Sequence, residues 1–248
     1  MSSTAPTVAF SQDGPRIPAE ILLEQEEGEV VFFCGAGISM GAGLPSFREL
    51  VHELRKRCTP TMDTVHKAAL EAGKYDELIH LWEQEEPVGE YGIRKKVAAI
   101  LGRDCRSAEG LANHRALLQL GATARHQGCR PRVRENRPLA NLRLVTTNYD
   151  LLFEWAAEEI VGKEEAASEA FARYDYPALP AATGEWRGLV YLHGRMREKA
   201  ERERYEDWIL SSADFGRAYL QEGSAARFVV KLFENFTVIF VGYQIGDP

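Results

Sequence analysis

The chain has 248 residues, 45% hydrophobic and 27% charged, a mixture that folds into one large domain or one domain with a sizeable insertion. Its formal net charge of −7 argues against a nucleic-acid footprint, which shows as a basic surplus. No apolar run approaches the ~18–20 residues that cross a bilayer, and the opening MSSTAPTVAFSQDGP lacks the basic flank and apolar stretch of a signal peptide. A cytoplasmic location without membrane attachment is expected.

Residues 1–15, rich in Ser, Thr, Pro and Gly, read as a flexible arm, and 16–248 as the folded domain. A short helix is predicted from Pro18, with Gly28 past its end. Val30–Cys34 is a β-branched and aromatic run of buried-strand length. Next come a glycine-rich turn and a helix over Phe47–Arg57. Further helices are predicted at Met62–Ala72, Tyr75–Gln84, Gly89–Gly102 and Ala112–Ala122, with no strand signal between them. This stretch reads as a helical insertion over about 60–138. It ends in a basic loop, 125–138, for which solvated charge is favoured over phosphate contact. Strand signals return at Leu142–Val145, Leu189–Leu192 and Val238–Val241, with a helix over Tyr149–Ile160 and an exposed mixed-charge run at Arg197–Arg204. Strands alternating with helices predict an α/β fold: a Rossmann-like parallel sheet with helices on both faces, carrying a helical insertion.

The four cysteines, Cys34, Cys58, Cys105 and Cys129, form no CxxC pair. That spacing excludes an ordinary zinc ribbon and gives no disulfide framework. Cys34 reads as a small buried residue at a strand end.

The residues suited to chemistry stand at the carboxyl ends of the strands. Val30–Cys34 leads into Gly35-Ala36-Gly37-Ile38-Ser39, and Leu142–Val145 into Thr146-Thr147-Asn148-Tyr149-Asp150. Leu189–Leu192 leads into His193-Gly194, and Val238–Val241 into Gly242-Tyr243-Gln244. In open parallel sheets ligands bind beyond the carboxyl ends of the strands, so these segments can converge. A GxG after a strand lets the backbone approach a pyrophosphate, although a plain tight turn explains it about as well. The dinucleotide fingerprint is incomplete: Met40 stands where its third glycine belongs, and no second strand with a ribose-binding acid succeeds it. A conventional dehydrogenase is disfavoured. Helix capping accounts for one of Asn148 and Asp150. It does not account for a histidine ending the next strand.

These residues match a known family. Gly35-Ala-Gly-Ile-Ser39 followed by Gly43-Leu-Pro45 and Phe47-Arg48 resembles the sirtuin signature GAGxSxxxG[IL]PxFR. Thr146-Thr-Asn148-Tyr-Asp150 is similar to the family's TQNID motif, His193-Gly194 to its HG, and Gly242-Tyr243 with Asp247 to the GYSxxD ending of sirtuin-like NADases. Departures accompany the match. Deacylases of the family usually carry two CxxC pairs after HG, whereas no cysteine here lies beyond Cys129. Ser46 stands where they usually have Asp, and Gln244 where the family usually has Ser.

The cysteine-free pattern resembles the NADase domains at the N-terminus of longer bacterial antiphage proteins. The resemblance implies NAD as substrate, no zinc, and cleavage of the nicotinamide–ribose bond without the general acid that sugar–oxygen leaving groups need. It assigns catalysis to Asn148 and His193. Gly35, Ala36, Gly37 and Ser39 fall to the phosphates, and Phe47 and Arg48 to the nicotinamide-ribose end. Thr147 and Asp150 belong to the binding loop, with Gly242 and Tyr243 on the adenosine side. It further implies a homo-oligomer governed by a sensor region or partner protein. An NAD-dependent deacylase or ADP-ribosyltransferase, and a non-catalytic NAD or ADP-ribose sensor, remain the alternatives.

Overall fold

In the computed structural model of this chain the described residues are 6–58, 62–85, 89–122, 138–162, 169–197 and 205–243, with 89–91 described by backbone alone. Two short strands, β1 (Thr7–Ala9) and β2 (Arg16–Pro18), pair antiparallel and lead into α1 (Ala19–Glu27). Gly28, at φ 80°, ends that helix in the left-handed region that glycine tolerates. Within the arm read as flexible, residues 7–9 are thus part of a hairpin.

The main sheet comprises β3 (Val30–Cys34), β4 (Arg143–Thr146), β5 (Arg173–Asp175), β6 (Gly188–Tyr191) and β7 (Thr237–Val241), in the order β5-β6-β4-β3-β7. Every pairing in it is parallel. β3 runs through its glycine turn into the short α2 (Gly37–Met40). β3, β4 and β6 are buried throughout, as expected of strands covered on both faces. Alternate residues go to opposite sides. Val30, Phe32 and Cys34 join Leu144, Leu189 and Tyr191 under α7 (Ala112–Ala122) and α8 (Leu152–Val161). Val31 and Phe33 join Val145, Val190 and Leu192 under α10 (Ser224–Asn235), which contributes Ala225, Phe228 and Leu232. The fold is a Rossmann-like α/β sheet flanked by helices, as the alternation predicts.

A third core belongs to the helical lobe. α3 (Phe47–Cys58), α4 (Thr64–Glu71), α5 (Tyr75–Glu83) and α6 (Gly89–Leu101) bury Leu50, Leu54, Leu78, Trp82, Ile93 and Val97 against one another. Ser46 and Glu49 start α3 as a reciprocal cap: Ser46 N–H donates to Glu49 Oε2 at 2.8 Å and Glu49 N–H to Ser46 Oγ at 3.3 Å. Arg94, 1% exposed, fastens the lobe to the sheet domain. It pairs with Glu83 at 2.9 Å and with Asp214 at 2.6 Å, and donates to the carbonyls of Tyr205 and Trp208. Asp214 lies in α9 (Ser212–Phe215), which runs into a π-helical turn over Gly216–Gln221.

The sequence pattern locates β3, β4, β6 and β7 within a residue of their bounds. It does not anticipate the hairpin, β5, α9, the π turn or α10. The helix expected over Tyr149–Ile160 begins three residues later, at Leu152, because Asp150 turns the chain first: its Oδ1 accepts the Leu152 N–H at 3.0 Å. Most of loop 125–138, and 198–204 of the mixed-charge run, lie outside the described residues.

Candidate functional site

Strand register assembles the site. Cys34 is level with Thr146 and with Val241, and Thr146 with Tyr191. Two residues beyond these paired positions stand Ala36, Asn148, Tyr243 and His193. They stand just beyond the carboxyl ends of β3, β4, β7 and β6 respectively. All four line a cleft of about 1010 Å³, part of it open to solvent. Phe47, Arg48 and Tyr75 from the helical lobe form its facing wall, with Thr147, Asp150 and Ser39 at its base.

Of the residues expected from sequence, Ala36, Ser39, Phe47, Arg48, Thr147, Asn148, Asp150, His193 and Tyr243 therefore share one cavity. Gly35, Gly37 and Gly242 lie beneath it and join the turns after β3 and β7. Gly37 N–H donates to the Gly242 carbonyl at 2.8 Å, and a Cβ on Gly37 would stand 2.7 Å from that oxygen. Tyr243 lies over Gly35, where a Cβ would meet its ring at 2.8 Å, and its hydroxyl pairs with Thr147 Oγ1 at 2.6 Å.

The Asn148 side is a closed hydrogen-bond system. Ser39 Oγ donates to Asp150 Oδ2 at 2.9 Å. It accepts from Asn148 Nδ2 at 3.1 Å and faces His114 Nε2 at 3.2 Å. One proton and two lone pairs exhaust a hydroxyl, so His114 carries its proton on Nε2. Ser39, 2% exposed, thus has no capacity left for a phosphate; it holds Asn148 and Asp150. Asn148 Nδ2 also reaches the Gly35 carbonyl at 3.2 Å. With the amide nitrogen so occupied, Asn148 Oδ1 has no partner among the described residues and is left as an acceptor at the cleft. Burial pushes the Asp150 carboxyl up.

The His193 side is aromatic. Its ring meets Phe215 edge-on at 5.2 Å, and Nε2 lies 3.0 Å from the Tyr219 hydroxyl. Burial pushes His193 down to about 4, so the imidazole is neutral near pH 7 and able to take a proton. The loop bearing it is pinned through Tyr149. That side chain stacks on Trp208 at 4.9 Å and donates to the Ile209 carbonyl, while Ile209 N–H donates to the His193 carbonyl at 3.0 Å.

For an anion the cleft offers Arg48, exposed and without an ion-pair or hydrogen-bond partner among the described residues, and the unpartnered Ala36 N–H. The N–H groups of Ile38 and Ser39 are already bonded within the turn, and that of Gly37 to the Gly242 carbonyl. No group of three or more His, Cys, Asp or Glu positioned for a metal occurs among the described residues. Cys34 is fully buried and its thiol is pushed up by burial, as fits an inert core residue. Sequence reasoning missed His114, Phe215, Tyr219 and Tyr75. No local pattern marks them: His114 and Tyr75 lie in helices whose periodicity reads as packing, and Phe215 and Tyr219 in short helical turns that the sequence does not signal.

Residues 142–248 match the family model described as SIR2-like domain, a span that holds the Asn148, Asp150, His193 and Gly242 segments. The likeness to a SIR2-like domain is shown over residues 142–248. Such domains are generally NAD-dependent enzymes that use NAD as substrate. The chain is also similar to the uncharacterized protein y4cA of Sinorhizobium fredii, 32% identical over 234 residues. The match covers 94% of this chain and 18% of that protein, so this chain spans about a fifth of its relative's length. The sirtuin-like glycine turn at Gly35–Ser39 lies outside the family match but inside the row of strand ends that the match completes. No helix among the described residues is long and apolar enough to cross a membrane.

Proposed function

We propose that this sirtuin-like domain is an NAD glycohydrolase, releasing nicotinamide and ADP-ribose. The observation that carries the proposal is that the row of strand ends carrying Ala36, Asn148, His193 and Tyr243 lines one cleft, with an amide oxygen and a neutral imidazole following adjacent strands. An extended dinucleotide fits such a row, its nicotinamide-ribose end over β4 and β6 and its adenosine end over β3 and β7. Arg48 and the Ala36 N–H would take the pyrophosphate, a shift for Arg48 from the nicotinamide-ribose end that the resemblance implies.

The chemistry asked of the protein is modest. The C–N bond breaks with its electron pair leaving on nicotinamide, a neutral product, so no acid is needed. Asn148 Oδ1 accepts a hydrogen bond from a ribose hydroxyl or from the attacking water. His193 takes the water's proton as the new C–O bond forms, a contribution of roughly 10²–10⁴ in rate. Phe47 and Tyr75, in edge contact at 6.2 Å, wall off the cleft and limit entry of water and of a peptide.

The absence of a CxxC pair after His193 and the likeness of the TTNYD segment to defence NADases support a role in bacterial antiphage defence by NAD depletion. An enzyme that destroys a central cofactor needs restraint. Homo-oligomerisation, or a sensor region or partner protein, is the proposed control. The test is incubation with NAD labelled in the adenosine moiety. The proposal expects free labelled ADP-ribose equal to the nicotinamide released. Label transferred to protein would instead support ADP-ribosylation, and nucleotide binding without nicotinamide release would support a sensor.

A further inference from the structure

His193 has two ring nitrogens, and only one of them has a partner among the described residues. Nε2 lies 3.0 Å from Tyr219 Oη, so the nitrogen left for a reactant is Nδ1. A nitrogen that is to accept a proton must be bare at rest. In a neutral imidazole the proton then sits on Nε2, and the nearby oxygen must accept it. If the phenol donated instead, Nδ1 would carry the proton and could not act as a base.

The contact is made from a widened helical turn. Over Gly216–Gln221 the helix widens to π geometry, with Glu222 N–H reaching back five residues to the Arg217 carbonyl at 2.8 Å. π-helical turns are less favourable than α-helix and occur frequently at functional sites. Here the turn carries Tyr219, whose ring stacks on Phe215 at 5.9 Å. The imidazole stands edge-on to both rings.

We propose that Tyr219 is a positioning residue for the reaction: its oxygen accepts the Nε2 proton of His193 and holds the imidazole with a bare Nδ1 facing the cleft. The proposal rests on the NAD-hydrolase reading for the reaction and for the direction of the His193–Tyr219 hydrogen bond, and on the 3.0 Å contact for the pairing itself. As water's oxygen bonds to the ribose carbon, its proton goes to Nδ1. The resulting imidazolium keeps its Nε2–H on Tyr219 until Nδ1 loses the proton to solvent. Tyr219 takes no proton itself and stays a neutral phenol, its own pKa pushed up to about 12 by burial. A neutral acceptor stabilises the cation less than a carboxylate would. The expected contribution is that of one hydrogen bond to a charged group, roughly ten- to a hundredfold in rate.

Tyr219→Phe removes the oxygen and keeps the ring stack, so it separates positioning from packing. The primary measurement is long-range ¹H–¹⁵N correlation of the His193 ring near pH 7, with its signals assigned from their loss in His193→Gln. The wild-type chain should show the Nε2–H tautomer, and Tyr219→Phe a mixture of the two. Nicotinamide release by the variant should show kcat down roughly ten- to a hundredfold with KM changed less than about twofold. A wild-type ring protonated on Nδ1 overturns the proposal, and that result needs no folded variant. Unchanged tautomer and unchanged kcat in Tyr219→Phe overturn it as well. A wild-type chain that releases no nicotinamide defeats the NAD-hydrolase reading, while the tautomer still decides the role of Tyr219.

Discussion

The two halves of the cleft solve the same problem by opposite means. At the ends of β3 and β4, Asn148 is aimed by a buried polar system in which Ser39, Asp150, His114 and the Gly35 carbonyl leave it one free atom. At the end of β6, His193 stands edge-on against the stacked Phe215–Tyr219 pair, with one side-chain hydrogen bond among the described residues. The polar half fixes direction, since each bond excludes an alternative rotamer. The aromatic half sets basicity, since desolvation keeps the imidazole neutral. A hydrogen bond acceptor needs orientation more than tuning, whereas a base needs both. Tyr219 supplies the orientation that the aromatic slot lacks.

The largest expected effects come from removing either working group. Asn148→Ala and His193→Ala should each lower nicotinamide release roughly 10²–10⁴-fold, with melting temperatures near wild type. Near-normal turnover in both would break the comparison at its root. Next comes the support of the polar half. Asp150→Ala orphans the Ser39 hydroxyl and the Leu152 N–H, at about 1–3 kcal/mol for each buried group left unpaired. It should lower the melting temperature by several degrees and the turnover with it. An Asp150→Ala chain as stable as wild type would show that the hub does not hold the loop.

Acid titration separates the halves more gently. Burial pushes both His114 and His193 down to about 4. Between about pH 6.5 and pH 4 the unfolded chain binds protons at these rings that the folded chain does not. Stability is therefore full above about pH 6.5 and falls as pH drops through that window, by up to roughly 3 kcal/mol for the fully buried His114 and by less for the half-buried His193. Asp150 acts in the opposite sense: its raised pKa lets the folded state bind the proton first, which returns some stability as pH falls. His193→Gln should flatten the profile measured by denaturant unfolding, and an unchanged slope would contradict a half-buried ring held neutral by desolvation. Turnover should persist to about pH 5, below the range of an ordinary histidine. The smallest effect expected is none: a metal chelator should alter neither melting temperature nor turnover, and loss of either would reveal a metal site.

How much of this was legible in sequence depended on whether a segment's packing was local. Val30–Cys34 and Ala112–Ala122 match their expected bounds because uniform burial and helical periodicity both show in a short window. Arg173–Asp175 did not show, since a three-residue strand of Arg, Tyr and Asp is held by pairing with β6 and by Arg173's bond to Glu154. The strand-end motifs announced Asn148 and His193. Their supports, His114 and Tyr219, lie 34 and 26 residues from them along the chain and meet them only through tertiary packing. Ser39 was legible as a site residue, yet the task its hydroxyl performs depends on three partners that no spacing reveals.

The central claim is that the polar and aromatic halves act on one bond. The most direct test is a crystal structure of His193→Ala with intact NAD. The account predicts the nicotinamide ribose over β4 and β6, a ribose hydroxyl or a water within hydrogen-bond distance of Asn148 Oδ1, and the anomeric carbon facing the space vacated by the imidazole. NAD lying with its adenosine end beside Asn148, or bound away from this cleft, would contradict it.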